Sequence, residues 1–144
     1  MAHAPLIRRD ARRMAAGAVA LAVAVLSTTS CAAVRPDADT AAEVAVDFAA
    51  DVTSNDSSAA CGLLAPDTRS QLESGGTPCA QALLKQKVPT GGAIEHTAAF
   101  GRGAQVVLRG DVVFLSDFGG RWLVTAAGCR PKDDVGYDCA LSGG

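Results

Sequence analysis

Histidine, lysine and aromatic residues are scarce in this 144-residue chain, which has two histidines, three lysines, one tryptophan, one tyrosine and four phenylalanines. The patterns that usually carry chemistry are missing with them. There is no Cys-x-x-Cys pair and no histidine beside a cysteine, so a zinc site has no ligand set. Ser116 lies in Leu-Ser-Asp-Phe rather than in a Gly-x-Ser-x-Gly elbow, which removes the usual serine hydrolase signature. Gly101-Arg102-Gly103 precedes a strand pattern, not a helix, and so offers no phosphate cradle. The adjacent carboxylates Asp133-Asp134 fall in a polar loop and read as a solvated turn rather than an acid–base pair. The apolar run Met14–Leu26 spans 13 residues, short of the ~20 needed to cross a bilayer. These absences predict a protein that is not an enzyme and holds no cofactor or metal.

What is present begins with an export signal. Arg8, Arg9, Arg12 and Arg13 form a basic segment, Met14–Leu26 supplies an apolar core, and Ser27-Thr28-Thr29-Ser30 leads into Cys31. A small-residue stretch ending in cysteine resembles a lipobox, where the bacterial lipoprotein pathway acylates the thiol and cleaves before it. Thr28 stands where an aliphatic residue is usual. The other processing reading is signal-peptidase cleavage after Ala33, which would discard Cys31. Both place the mature chain outside the cytoplasm; the expectation adopted is a signal peptide over residues 1–30 and a palmitate-type anchor on Cys31. Asp10-Ala11 after the paired arginines argues against a twin-arginine signal.

Removing those 30 residues leaves nine basic and fourteen acidic side chains, a net charge of −5 against −2 for the whole chain. Such a surface gives no electrostatic reason to bind nucleic acid. It also lacks the polybasic patch that holds proteins to anionic lipid, so any membrane attachment rests on the lipid at Cys31. The 114 residues that remain suffice for one small domain.

Cysteine parity fits export. With Cys31 set aside, Cys61, Cys79, Cys129 and Cys139 form an even set, the count of two disulfides in a small secreted domain. Of the three possible connectivities, Cys61–Cys79 with Cys129–Cys139 is favoured, because each pair closes a short local loop.

Residues 31–39 read as a short tether, and residues 40–144 as the domain. Thr40 and Glu43 have capping-box spacing. Val44, Phe48 and Val52 then recur every four residues beside Ala41, Ala45 and Ala49, an amphipathic helix of about 13 residues with Asp47 and Asp51 on another face. Asn55–Ser58 breaks it. Ser57 or Ser58 is expected to cap a short second helix carrying Cys61, Leu63 and Leu64, and Pro66 to end it and start the next turn, Asp67–Ser74, closed by Gly75-Gly76. Thr77-Pro78 is expected to start a helix from Cys79 to about Lys87, with Leu83 and Leu84 facing inward. After Gly91-Gly92 the period shortens. Ile94–Phe100, Ala104–Leu108, Val112–Ser116, Arg121–Ala127 and Tyr137–Leu141 read as strands joined mostly by short glycine-rich turns, hence an antiparallel meander. The expected class is α+β: N-terminal helices packed on a curved sheet of four to five strands. If Trp122 points inward, Leu123 points outward.

Cys61-Gly62-Leu63-Leu64-Ala65-Pro66, Arg69-Ser70-Gln71-Leu72-Glu73, Val113-Phe114-Leu115-Ser116, Trp122–Cys129 and Tyr137-Asp138-Cys139 together resemble small actinobacterial lipoproteins. The helix-then-meander order over residues 40–141 is similar to the NTF2-like (cystatin-like) cone. The resemblance implies the helix-over-sheet fold and the two local disulfides, and it implies no activity. In such a cone His96 would be a candidate general base on the inner sheet face, and Phe48, Phe114 and Trp122 candidate pocket walls. The plainer reading makes His96 a polar strand residue and the aromatics a small core. Arg102, Arg109 and Arg121 near hairpin ends are candidates for a basic rim, opposed by Asp111 and Asp117. The function expected is a membrane-anchored binding or interaction module of the cell envelope, with an envelope protein or a small apolar ligand as partner. The competing expectation is an NTF2-like enzyme using His96 in an enclosed pocket.

Overall fold

Among the described residues four helices precede five strands, and the local chemistry explains where each begins. The structure, a computed structural model, describes residues 37–89, 91–133 and 135–143. The expected signal segment, Cys31, most of the tether and Asp134 lie outside the described residues.

Helix α1 spans Ala38–Thr53 and is capped by Asp37, whose carboxylate accepts the Thr40 backbone N–H at 3.2 Å. Thr40 was the expected cap but sits inside the first turn, and its hydroxyl donates to the same carboxylate. An anionic cap satisfies an orphan donor and complements the positive helix end at once, which a threonine cannot do. Those hydrogen bonds from Thr40 hold the Asp37 carboxyl below the ordinary carboxylate range. The same rule places the start of α2, Ser57–Gly62. Asp56, not Ser57 or Ser58, accepts the Ala59 N–H at 3.1 Å. Helix α3, Pro66–Glu73, opens with proline in its first turn, where the missing N–H costs nothing.

Helix α4, Cys79–Lys85, stops two residues short of the expected Lys87. Thr77 does not cap it; Glu73 at the end of α3 does, accepting the Cys79 N–H at 3.1 Å. Leu83 is buried, whereas Leu84 is 59% exposed. The expectation that both leucines face inward is therefore corrected. Adjacent positions lie about 100° apart on a helix, and a helix this short has one covered side.

The strands are β1 (Ile94–Phe100), β2 (Gly103–Leu108), β3 (Asp111–Asp117), β4 (Trp122–Pro131) and β5 (Tyr137–Ser142). They pair in chain order, all antiparallel, in an open sheet with β1 and β5 as edges. Strand β4 runs past the expected Ala127, so part of the predicted Gly128–Gly136 loop is strand. Two register shifts between β3 and β4 place extra residues on β4, which bend it and sharpen its twist.

Helix α1 lies on the inner sheet face. Phe48 and the alanines at 41, 45 and 49 meet Val106, Leu108, Val113, Leu115, Trp122, Val124 and Leu141 in one buried cluster. Trp122 faces this core. Leu123 lies outside the cluster, as alternation along a strand requires, though it too is largely covered. The alanines have a packing role here: their small side chains let the helix backbone lie close on the sheet.

Both disulfides are local. Cys61–Cys79 joins α2 to α4 with Cα atoms 6.2 Å apart. Cys129 and Cys139 face each other in the β4–β5 ladder, with Cα atoms 3.9 Å apart.

The helical half is also tied to the sheet by backbone. Strand β5 covers β4 only from Ala126 onward. Before that, the α2–α3 link fills the open side of β4: Ala65 N–H donates to the Val124 carbonyl and Val124 N–H to the Leu63 carbonyl, both at 2.8 Å. Buried Thr68 adds its hydroxyl to the Thr125 carbonyl at 2.9 Å.

Gly128 carries the tightest turn of β4. Its φ is +67°, and a Cβ there would come within 2.8 Å of both Ala140 Cβ and Pro89 Cδ. Gly128→Ala is expected to destabilise the domain by about 1–3 kcal/mol through the left-handed backbone and overpacking. A urea titration read by tryptophan fluorescence measures this, and an unchanged midpoint would contradict the packing described.

Candidate functional site

The four residues expected to line a pocket do not converge. Phe48 and Trp122 belong to the buried cluster between α1 and the sheet. Phe114 projects from the other face, because its β3 neighbours Val113 and Leu115 take the inward positions. It packs edge-on against Tyr137 with ring centroids 4.8 Å apart, and Gln105 Nε2 donates to the Tyr137 hydroxyl at 2.7 Å. His96 is exposed on the edge strand β1. The expected enclosed pocket around His96 is thus replaced by a core filled with its own side chains. None of the four surface cavities described here is lined by any of these four residues.

The three arginines do not form one rim either. In a meander, alternate turns fall at opposite sheet ends, which separates Arg109 from Arg102 and Arg121. Arg102 donates from Nε and Nη2 to the Asp117 carbonyl at 3.1 and 2.6 Å, tying two hairpin tips together. Arg121 Nη2 donates to the Gly62 carbonyl at 3.0 Å. Arg109 lies 3.9 Å from Glu95 in a solvent-exposed ion pair of the kind worth little to stability.

Asp111 is the one buried carboxylate among the described residues, 4% exposed at the start of β3. It accepts the Cys129 N–H at 3.0 Å and hydrogen bonds from the backbone of Val112 and Gly128. Burial nevertheless outweighs these donors and pushes its pKa up. Its place is structural, since it anchors the bent part of β4 beside the Cys129–Cys139 bond. No group of three or more His, Cys, Asp or Glu among the described residues is placed to hold a metal ion.

The surface holds two grooves with apolar lining. One, about 330 Å³, lies between the end of α1 and α4 and includes Val52, Leu83, exposed Leu84 and Val88. The other, about 450 Å³, runs between α1 and the start of β1 and is lined by Asp39, Ala42, Glu43, Val46, Asp47 and Ile94. Val46 is 41% and Ile94 45% exposed there. The carboxylates continue to Asp51 at steps of four residues, a line of like charge along one helix that carries no basic residue. Such i,i+4 repetition disfavours a helix by about 0.2–0.5 kcal/mol per pair. The Asp51 pKa is raised, by partial burial first and then by Asp56 and Asp47. Among the described residues none of the four is in an ion pair. The sequence places Asp47 and Asp51 on a face other than the apolar stripe; the regular spacing of acids without interleaved lysines marks that face.

No protein-family model, no curated protein and no solved structure matches this chain. Among the described residues no helix is long and apolar enough to cross a membrane.

A pH experiment tests the burial of Asp111. The folded state holds its proton more tightly than the unfolded chain, so this group's contribution to stability is greatest in acid. It declines as pH rises from the ordinary value of 3.8 through the raised folded value. Asp111→Asn carries no such dependence. The stability of the natural chain relative to this variant is expected to fall as pH rises above the ordinary carboxylate value, measured by urea unfolding from acid to neutral pH. A difference that stays flat or rises with pH would show that the carboxylate is not desolvated.

Proposed function

We propose that this protein is an exported envelope lipoprotein, held at the outer side of the cytoplasmic membrane by a lipid on Cys31, whose domain serves as a non-catalytic binding module. The observation that carries the binding half is the contrast between interior and surface. The space under the helices is filled by core side chains, while partly exposed apolar residues line open grooves. Recognition at a surface needs no enclosed pocket. Export is supported by the basic and apolar N-terminal segments, and by two disulfides of the kind that oxidising compartments favour. An anchor at Cys31 is supported by the odd cysteine count and the small residues before it. The helices-then-meander order further supports an NTF2-like cone as the ancestry of the domain.

Two measurements test the reading. Cys31→Ala is expected to shift the protein from the membrane fraction to the medium and to abolish metabolic labelling by a fatty-acid analogue. Unchanged membrane association would remove the anchor. In intact cells, an amine- and carboxylate-directed cross-linker is expected to trap the anchored chain in a discrete adduct with another envelope protein. A chain that stays uncross-linked in its native envelope would remove the binding role.

A further inference from the structure

Resting on the binding role above, we propose that the α1–β1 groove takes an extended segment of a partner protein that carries lysine or arginine at alternate positions, added as a strand beside β1.

Three features of the groove define that occupant. The first is the free strand. β1 is a sheet edge paired only with β2, with one register irregularity between Ile94 and His96, so from His96 to Phe100 every second residue directs its N–H and C=O away from the sheet. Such a row of unpaired groups is a template for one more strand. It has seven residues and contains neither proline nor lysine, the residues that commonly blunt an edge.

The second feature is the order of the lining. Ala42 and Val46 project from the flank of α1, and Ile94 begins β1; together they make the apolar part of the groove. Asp39, Glu43 and Asp47 stand on the same flank, further round the helix toward solvent. In an added strand, alternate side chains would face this flank. A lysine or arginine there lays its aliphatic stem over Val46 and Ile94 and carries its charge up to the carboxylates. A short aliphatic side chain would leave the acids uncompensated, and an acidic one would be repelled.

The third feature is charge complementarity. The acids are spaced by about one helical turn, ~5–6 Å. Alternate residues of a strand are separated by ~6.5–7 Å. The two spacings are similar in size. The unsatisfied line of acids on a helix without bases is the electrostatic half of an interface whose other half is cationic. The same field rejects an anionic lipid surface, and a second copy of this chain would bring its own acids against these.

The probe is a blocked nine-residue peptide of alternating lysine and threonine, titrated into the protein from residue 32 onward and followed by amide NMR shifts. Binding is expected, with shifts concentrated in Ile94–Phe100 and in the first three turns of α1. Asp39→Asn/Glu43→Gln/Asp47→Asn is expected to weaken it at least tenfold, and Ile94→Ser several-fold. Asp67→Asn, an exposed acid on α3, is expected to leave it unchanged. Backbone N-methylation at alternate peptide residues should abolish binding, because it removes the donors a strand requires. The same composition rearranged as a lysine block followed by a threonine block should bind at least fivefold more weakly.

Several results would overturn the proposal. They are absence of binding, equal binding of an alternating glutamate–threonine peptide, equal binding by the triple variant, and shifts confined to another surface. Self-association through β1 in sedimentation, or attachment to anionic vesicles lost in the triple variant, would assign the groove to a different occupant. A trapped envelope partner together with a peptide that does not bind would leave the binding role standing and this site wrong.

Discussion

The two hydrogen bonds between Val124 and the Leu63–Ala65 segment hold the two halves of the domain in one structure. Among the described residues β4 alone has three partners, because β3 lies on one side while β5 and the α2–α3 link share the other. Its early residues would otherwise expose an N–H and a carbonyl at a buried position, where unpaired polar groups cost several times what a hydrogen bond returns. The link therefore leaves α2 at helical Leu63, bridges Val124 at Leu64 and is extended at Ala65, between two short helices. Leu64 is buried at that point, and Pro66 then restarts a helix without needing an N–H.

This geometry explains where the disulfides are. Helices α2, α3 and α4 have six to eight residues, lengths at which a helix in water does not hold itself. Cys61–Cys79 fixes α2 to α4 across an 18-residue separation, a loop whose closure stabilises by about 3 kcal/mol in the entropic account. The Glu73 carboxylate on the Cys79 N–H secures α4 to α3 at the same point. At the far end of the sheet, Cys129–Cys139 and Asp111 perform the matching task for the bent end of β4 and the edge strand β5. A core with one tryptophan and a single buried phenylalanine has modest apolar area to offer. Covalent links then supply what a larger core would have supplied through burial.

The fold was largely legible because its signals are local. The alanine-rich period of α1, the glycine turns and the alternation in β2 each follow from steric rules that operate within a few residues. The misread features are of two kinds: helix caps, where a nearby acid displaces the expected hydroxyl residue, and positions decided by elements further along the chain. Thr77 gives way to Glu73 as the cap of α4. Leu84 turns outward because α4 has one covered side. The end of β4 extends because β5 returns to pair with it. At the surface, His96 and the aromatics drew attention by residue type, yet β1 is an edge and Phe114 is on the outer face. The line Asp39, Glu43, Asp47, Asp51 was visible as spacing. What the sequence alone could not supply was Ile94 and the open edge of β1 beside it.

An acidic helix next to a strand edge also bears on whether copies of the domain can pair through that edge. Exposed edges invite pairing between copies, and most proteins blunt them with lysine, proline or a covering loop. Here the guard sits on the neighbouring helix. A second molecule approaching β1 meets carboxylates at four-residue intervals and carries the same ones itself, so like-charge repulsion opposes self-pairing. Under the proposed strand addition the same residues would exclude one partner and admit another, specificity then arising as a difference in affinities. Because these charges are exposed, the selection works over the Debye length, about 8 Å at physiological salt, and weakens as ionic strength rises.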